Sequence, residues 1–302
     1  MELGMIGLGR MGGNMLKKLA ESGHTVVGFD LNPQFVKDAV AMGGKGSDSV
    51  EDLLHKLKKP RNIWVMLPHG TPTTETIENI MDLAAKDDLI IDGGNSHYLD
   101  TMKLAEKCIS NGVRFTDCGV SGGIWGLEVG YNLMIGGDEE DFKRMEPIYK
   151  SLAPANGYKY LGKHGAGHFV KMIHNALEYV MLQGIGEAFE CLERSEFKLD
   201  LMQTADLWNH GSVVRCWLLE LLVDSFTKDK DVLKKTAPFI DDSGTGRWTT
   251  EFAVQNSIPV PAMTTSLYER FASRIDERIS AKIIAVLRNE FGGHLVKKEG
   301  SS

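Results

Sequence analysis

The sequence predicts an α/β Rossmann N-terminal domain followed by an all-α C-terminal domain. Two observations carry the first half. Strand-like apolar runs alternate with helical patterns, and the first of these strands leads straight into a GxGxxG glycine pattern. The third observation is that the alternation stops after KYLGKHGAGHF, beyond which long amphipathic stretches dominate. We place the boundary near Gly162, with residues 1–161 as a dinucleotide-binding domain and residues 162–302 as a helical domain.

The opening MELGMIGLGRMGGNMLKKLA carries Gly7, Gly9 and Gly12 after a short apolar run and before a helical pattern. Gly7 permits the turn, Gly9 lets a pyrophosphate approach the backbone, and Gly12 allows close helix–strand packing. Leu8, Arg10 and Met11 complete this phosphate loop, and the phosphates would sit at a helix N-terminus. The next strand, TVVGFD, ends at Asp30, about twenty residues beyond the glycines, where an acid accepts ribose hydroxyls and repels a 2′-phosphate. Leu31, Asn32 and Pro33 follow and offer no arginine to hold such a phosphate, so NAD is favoured over NADP.

NIWVML is a buried strand, and Met66, Leu67 and Pro68 at its carboxyl end are expected beside the cofactor. LIIDGG, RFTDCGVSGG and NLMIGG read as three further strands of a mainly parallel sheet. Ligands in such sheets bind beyond the carboxyl ends of strands, which makes Asn95 and Ser121-Gly122-Gly123 site candidates.

The helical half opens near Val170 with KMIHNALEY, then runs on through amphipathic segments from Asp200 to Ser225 and from Met263 to Glu290. In KMIHNALEY, Lys171, His174, Asn175 and Glu178 fall at i, i+3, i+4 and i+7, within about 60° of one helix face. On spacing alone such a stripe is a solvated face. Two features argue against it. Asn and His are mediocre helix formers, and the opposite positions (Met172, Ile173, Leu177, Val180, Met181) are apolar beside a cofactor domain. A lysine and a glutamate facing a nicotinamide would form an acid–base pair on a rigid element.

Composition narrows the function class. The chain has 302 residues, 42% hydrophobic and 25% charged, with a net charge of −7. That acidic balance excludes the basic footprint of a nucleic-acid binder. Cys108, Cys118, Cys191 and Cys216 show neither CxxC pairing nor metal-like spacing and read as reduced thiols. No run reaches membrane-spanning length and no signal-peptide pattern precedes the first strand, so a cytoplasmic protein with no membrane partner and no metal site is expected. His24, His55 and His210 read as surface or local hydrogen-bonding groups, and Met5, Met11 and Met15 as packing.

The set GLGRMG, DGGNS, VSGG, KMIHNALEY, GTGRWT and RNEFGGH resembles 6-phosphogluconate dehydrogenase (decarboxylating), in its shorter branch, from Met1 to about His294. The resemblance implies that Lys171 removes the 3-hydroxyl proton and later protonates the enolate oxygen, and that Glu178 protonates C1. Asn95, Ser121, Gly122, Gly123, His174, Asn175 and Tyr179 match substrate-contacting positions, with Asn95 and His174 also counted in the catalytic set. Asn95 matches a position near the cofactor as well. Arg270 matches a phosphate arginine. Arg288 and His294 match a tail that enters a neighbouring subunit's site, which implies a homodimer or homotetramer. For Lys171 to act as a base near neutral pH, its pKa must fall through burial or a nearby cation.

Two departures stand out. A phosphate-contacting lysine of the family is Ser243 here, with Arg215 as a candidate replacement, and Asp30 replaces the small polar and arginine pattern of NADP-preferring members. The wider superfamily leaves a second reading open, a dehydrogenase of a small 3-hydroxy acid such as 3-hydroxyisobutyrate, which needs the lysine but not Glu178 as a C1 acid. A third, an idle NAD-binding regulator, would be expected to have lost Lys171, Asn95 and Glu178, which are all present.

Overall fold

A computed structural model describes residues 1–293 together with Leu295 and Val296. The chain divides into two compact units, Met1–Asn175 and Ala176–Ser302, with the division falling inside one long helix.

The first unit is built on β1 (Glu2–Ile6), β2 (Thr25–Phe29), β3 (Lys45–Gly46), β4 (Asn62–Val65), β5 (Leu89–Asp92), β6 (Arg114–Ser121), β7 (Asn132–Gly137) and β8 (Tyr158–Gly162). Its helices are α1 (Arg10–Glu21), α2 (Pro33–Ala41), α3 (Val50–Lys56), α4 (Thr71–Leu83), α5 (Tyr98–Ser110), α6 (Gly126–Val129) and α7 (Glu139–Leu152). The strands form one sheet in the order β3-β2-β1-β4-β5-β6-β7-β8. Every pairing is parallel except β6 with β7, where Val120 lies opposite Leu133 in antiparallel register. The strand order reverses between β1 and β4, the point where such sheets open a ligand crevice.

Side-chain alternation explains why the strands read as continuous apolar runs: both faces are covered. Leu3, Met5, Trp64, Leu89 and Ile91 enter one core cluster, while Ile6, Ile63, Val65 and Ile90 enter the other. Met15 is fully buried in the first cluster, in keeping with its reading as packing. Local chemistry starts the helices. The Asn32 side chain accepts from Gln34 N and Pro33 opens α2, and Ser49 accepts from Asp52 N at the start of α3.

From Ala166 the chain is helical. It comprises α8 (Ala166–Glu193), α9 (Leu201–Asn209), α10 (Trp217–Lys228), α11 (Val232–Lys235), α12 (Thr245–Gln255), α13 (Pro261–Ala272) and α14 (Ile279–Gly292). The second unit's small core gathers Phe189, Ala205 and Leu219 with Trp208, Leu222 and Val223 around them. Two stretches that read as continuous are each broken. Gly211, at φ +82°, turns the chain between α9 and α10. After α13 the Ser273 hydroxyl donates to Arg270 O and accepts from Ile240 N, which closes that helix. No helix among the described residues is long and apolar enough to cross a membrane.

Candidate active site

The glycine loop between β1 and α1 is shaped for close backbone contact. Gly7 has φ +90°, and its N–H donates to Phe29 O at 2.9 Å. A Cβ on Gly12 would sit 1.9 Å from Gly7 O, so only glycine lets α1 start this close to the strand. A Cβ on Gly9 would meet no atom within 4 Å, leaving open space over the backbone at the first turn of α1. These residues fit a dinucleotide's pyrophosphate, a ligand matched by helix N-terminal N–H groups. Asp30 closes the loop from the end of β2. Its Oδ2 accepts from Leu8 N at 2.7 Å and its Oδ1 from Asn32 N at 2.8 Å. Leu8 is buried, Arg10 exposed and Met11 half-buried. Leu31 is almost wholly exposed. β4 ends at Val65, two residues short of the NIWVML run, so Met66 and Leu67, half-buried, and Pro68, exposed, follow the strand.

A second constellation lies in the same unit, around the carboxyl ends of β5 and β6. Asn95 follows β5 with φ +51°, and its side chain clasps β6: Val120 N donates to Oδ1 at 3.0 Å and Nδ2 donates to Val120 O at 3.4 Å. Ser121, the next residue, brings its hydroxyl to 3.4 Å from His174 Nε2 on α8. His174 Nδ1 lies 3.0 Å from Asn175 Oδ1, so the ring is held from both sides. Gly122 and Gly123 turn the chain away at φ +118° and +52°. The Asn95 bonds to Val120 and the Ser121–His174–Asn175 contacts therefore bring the loops after β5 and β6 together with α8.

Lys171 is 5% exposed, whereas Leu177, on the face that reads as apolar, is 51% exposed. Met172, also read as apolar, is buried as well, and His174, Asn175 and Glu178 are half-buried, so within the polar stripe it is Lys171 that is buried. Two residues that the sequence reading passed over put it there. Asp117 on β6, wholly buried, accepts from Gly165 N at 2.7 Å and His168 N at 2.8 Å and so anchors the start of α8. Gly119, two residues along the same strand, would carry a Cβ only 2.4 Å from Lys171 Cβ. The signal for Asp117 was available, since a carboxylate inside an apolar strand must be bonded to something. His168, also buried, brings Nδ1 to 2.8 Å from Thr101 Oγ1 on α5.

In the second unit, Glu178 is half-buried and Tyr179 buried on α8. Tyr179 Oη accepts from Ser243 N at 2.9 Å and lies 3.2 Å from Ser243 Oγ, which is 3.0 Å from Thr245 Oγ1. The Arg270 guanidinium stacks 3.5 Å from the Tyr179 ring centre and donates to Asp241 O at 2.7 Å. Asp242, also overlooked in sequence, accepts from Arg247 Nε and Nη2, each at 2.9 Å, and from Arg274 Nη2 at 2.8 Å. These arginines, Arg247 first, hold its carboxyl far below the usual range. Arg215 is exposed and takes no part in the bonds among Tyr179, Ser243 and Thr245. Arg288 lies exposed on α14, and His294 falls outside the described residues.

Comparison with known proteins assigns the family. Residues 2–162 match the model for the NAD binding domain of 6-phosphogluconate dehydrogenase, and residues 167–299 match that for the 6-phosphogluconate dehydrogenase C-terminal domain. The chain belongs to the 6-phosphogluconate dehydrogenase family. It is an oxidoreductase of that family, with a nicotinamide-dinucleotide-binding first unit. It is 39% identical over 300 residues to the NAD(+)-dependent, decarboxylating 6-phosphogluconate dehydrogenase of Haloferax volcanii, covering 99% of each chain. It is 40% identical to YqeC of Bacillus subtilis, provisionally named a 6-phosphogluconate dehydrogenase, across 99% of this chain and 100% of that one. Among solved structures, Plasmodium falciparum 6-phosphogluconate dehydrogenase superposes with a TM-score of 0.83 at 26% identity, over 100% of this chain and 67% of that one.

Proposed function

We propose that this chain catalyses the NAD-dependent oxidative decarboxylation of 6-phospho-D-gluconate to D-ribulose 5-phosphate and CO2. The observation that carries the reading is the buried Lys171, placed on α8 with His174 and Asn175 and followed by Glu178, in a chain similar end to end to a decarboxylating member of the family. Bound NAD supplies the hydride acceptor. Lys171 takes the proton of the 3-hydroxyl as C3 gives up its hydride. The resulting 3-keto acid needs a positive donor at its keto oxygen to lose CO2, and the Lys171 ammonium is that donor. Lys171 then passes its proton to the enolate oxygen, and Glu178 protonates C1 of the enediol. Asn95, Ser121, Gly122, Gly123, His174, Asn175 and Tyr179 orient the sugar acid. Arg270, beside the Ser243–Thr245 hydroxyls, receives the phosphate.

Burial of Lys171 supplies the condition for a base near neutral pH. An acid limb of the pH–rate profile at an ordinary lysine pKa would count against its role. NAD is preferred to NADP because Asp30 sits where a 2′-phosphate would have to go. The enzyme acts as a homo-oligomer, with Arg288 and His294 completing a neighbour's site. Exposed Ile283, Ile284, Leu287 and Phe291 on α14 support an association surface beside that tail. Truncation before Arg288 is expected to abolish activity while the monomer stays folded.

The deciding experiment mixes the protein with 6-phosphogluconate and NAD and follows NADH and CO2 together, with 3-hydroxyisobutyrate and NADP in parallel. Equal NADH and CO2 from 6-phosphogluconate is the expected result. NADH from the small hydroxy acid alone would replace this reading with a non-decarboxylating one.

A further inference from the structure

A cavity of about 570 Å3 opens beyond the carboxyl ends of β1, β2 and β4. Ile6, Phe29 and Val50 give it apolar walls, and Asp30, Glu51 and Glu75 bring three carboxylates to its lining. Among the described residues that line it, none is Lys, Arg or His. Position and wall chemistry suit the adenosine half of a dinucleotide, with an apolar slot for the base and, in Asp30, an acceptor for ribose hydroxyls. The three carboxylates come from different elements: the end of β2, the first turn of α3 and the body of α4.

Asp30 by itself is a constrained selectivity device. Each of its oxygens already accepts a backbone N–H, from Leu8 and from Asn32, which fixes its position and partly satisfies its charge. Glu51 is exposed, and its own backbone N–H and the Ser49 hydroxyl hold its carboxyl below the ordinary value. At neutral pH it is therefore a fixed negative charge on the cavity wall. A ribose bearing two hydroxyls tolerates such a charge, whereas a 2′-phosphate of nearly two negative charges does not.

We propose that Glu51 is a second determinant of NAD selectivity, acting with Asp30, and with Glu75 in support, as an electrostatic wall against the 2′-phosphate of NADP. This rests on the NAD preference argued above and assigns it to residues beyond the end of β2. For a carboxylate and a dianion about 8 Å apart in a water-like dielectric at about 0.01 M ionic strength, the repulsion corresponds to roughly four- to fivefold in affinity.

The test is isothermal titration of the full chain with NAD and with NADP at about 0.01 M ionic strength, without sugar, so that it does not depend on the substrate. Glu51→Gln is expected to tighten NADP binding about fivefold and to leave NAD within about twofold. Glu51→Lys, which adds attraction, should tighten NADP about twentyfold or more. The Gln effect should shrink in 0.5 M salt, where screening acts within a few ångströms. Unaltered Tm values separate these effects from changes in folding. If both Glu51 variants leave the ratio of NADP to NAD dissociation constants within twofold of the parent while the parent favours NAD, the inference is overturned and the NAD preference stands. If the parent binds both cofactors equally, the preference itself fails, and this inference with it.

Discussion

Gly119→Ala is the sharpest probe of the Lys171 assignment, because it adds one methyl group without touching the lysine's chemistry. The new Cβ would lie 2.4 Å from Lys171 Cβ, 3.0 Å from Gly167 O and 3.1 Å from Lys171 Cγ. Carbon atoms settle at about 3.5–4.0 Å, so β6 and α8 must separate by roughly 1 Å at this point. A rotamer change at Lys171 cannot relieve the clash, since its Cβ is fixed by the helix backbone. Overpacking of this kind costs about 1–3 kcal/mol, which for a unit of this size is a fall in Tm of roughly 2–10 °C. A base displaced by about 1 Å loses on the order of 100-fold in kcat. The assay is steady-state turnover of 6-phosphogluconate beside NAD titration and thermal melting. We expect kcat to collapse while the dissociation constant for NAD stays within twofold. Turnover within threefold of the parent, in a folded variant, would show that Lys171 need not be seated by Gly119 and would refute the reasoning.

Other consequences are equally direct. Gly9→Ala places its methyl where no protein atom lies within 4 Å, so Tm should hold while NAD binding weakens tenfold or more; unchanged affinity would remove the pyrophosphate from that turn. Asp242 has its pKa lowered from 3.8, chiefly by Arg247, so its stabilising effect is present above that pH and is lost as pH falls toward the folded value. Asp242→Asn should thus cost about 1–3 kcal/mol at pH 7 in denaturant titrations, and the gap to the parent should close below pH 3.8; a gap constant down to pH 2 would contradict the pairing. Burial pushes the Cys108 thiol up to about 12 and Cys118 well above its usual value, whereas Cys191 is exposed. Peptide mapping after alkylation of the native protein at pH 8 should find Cys191 modified and the two buried thiols intact; early labelling of Cys108 or Cys118 would contradict their burial. Ser243→Lys adds a cation beside Thr245 and Tyr179, and KM for 6-phosphogluconate should fall about three- to tenfold at unchanged kcat. A rise in KM instead would mean that the hydroxyl pair is the better anion contact in this chain.

The features legible in sequence were those written in local patterns. The β1–α1 glycines, the apolar strands and the polar stripe of α8 each follow from a spacing rule, and each lies in the expected kind of element. What the sequence hid depends on pairs distant along the chain. The Ser121–His174 contact joins residues 53 apart, and Asp117 meets the start of α8 across 48 and 51 residues. Gly119 carries no local signal in the sequence, because a missing side chain has meaning only when its neighbour is known. The helix breaks near Gly211 and Ser273 were masked by amphipathic spacing that continues on either side of them. The rebuilding around Ser243 was also out of reach, since Tyr179 lies 64 residues away and Arg274 meets Asp242 across 32.

The burial of Lys171 on α8 bears on the choice between a functional and a solvated stripe. A polar stripe turned to water costs nothing and says nothing about function. A polar residue turned inward must instead be accommodated by its surroundings. Lys171 takes an ammonium out of water, and removing a cation from water costs several kcal/mol unless other groups compensate. Gly119 gives up a side chain in the middle of a strand, where glycine packs least well. Asp117 places a carboxylate in the core, with both oxygens committed to backbone N–H groups of the same helix start. Gly119 and Asp117 both set where α8 lies against β6, and so where Lys171 is carried, which is the pattern expected where a site contributes to the choice of residues.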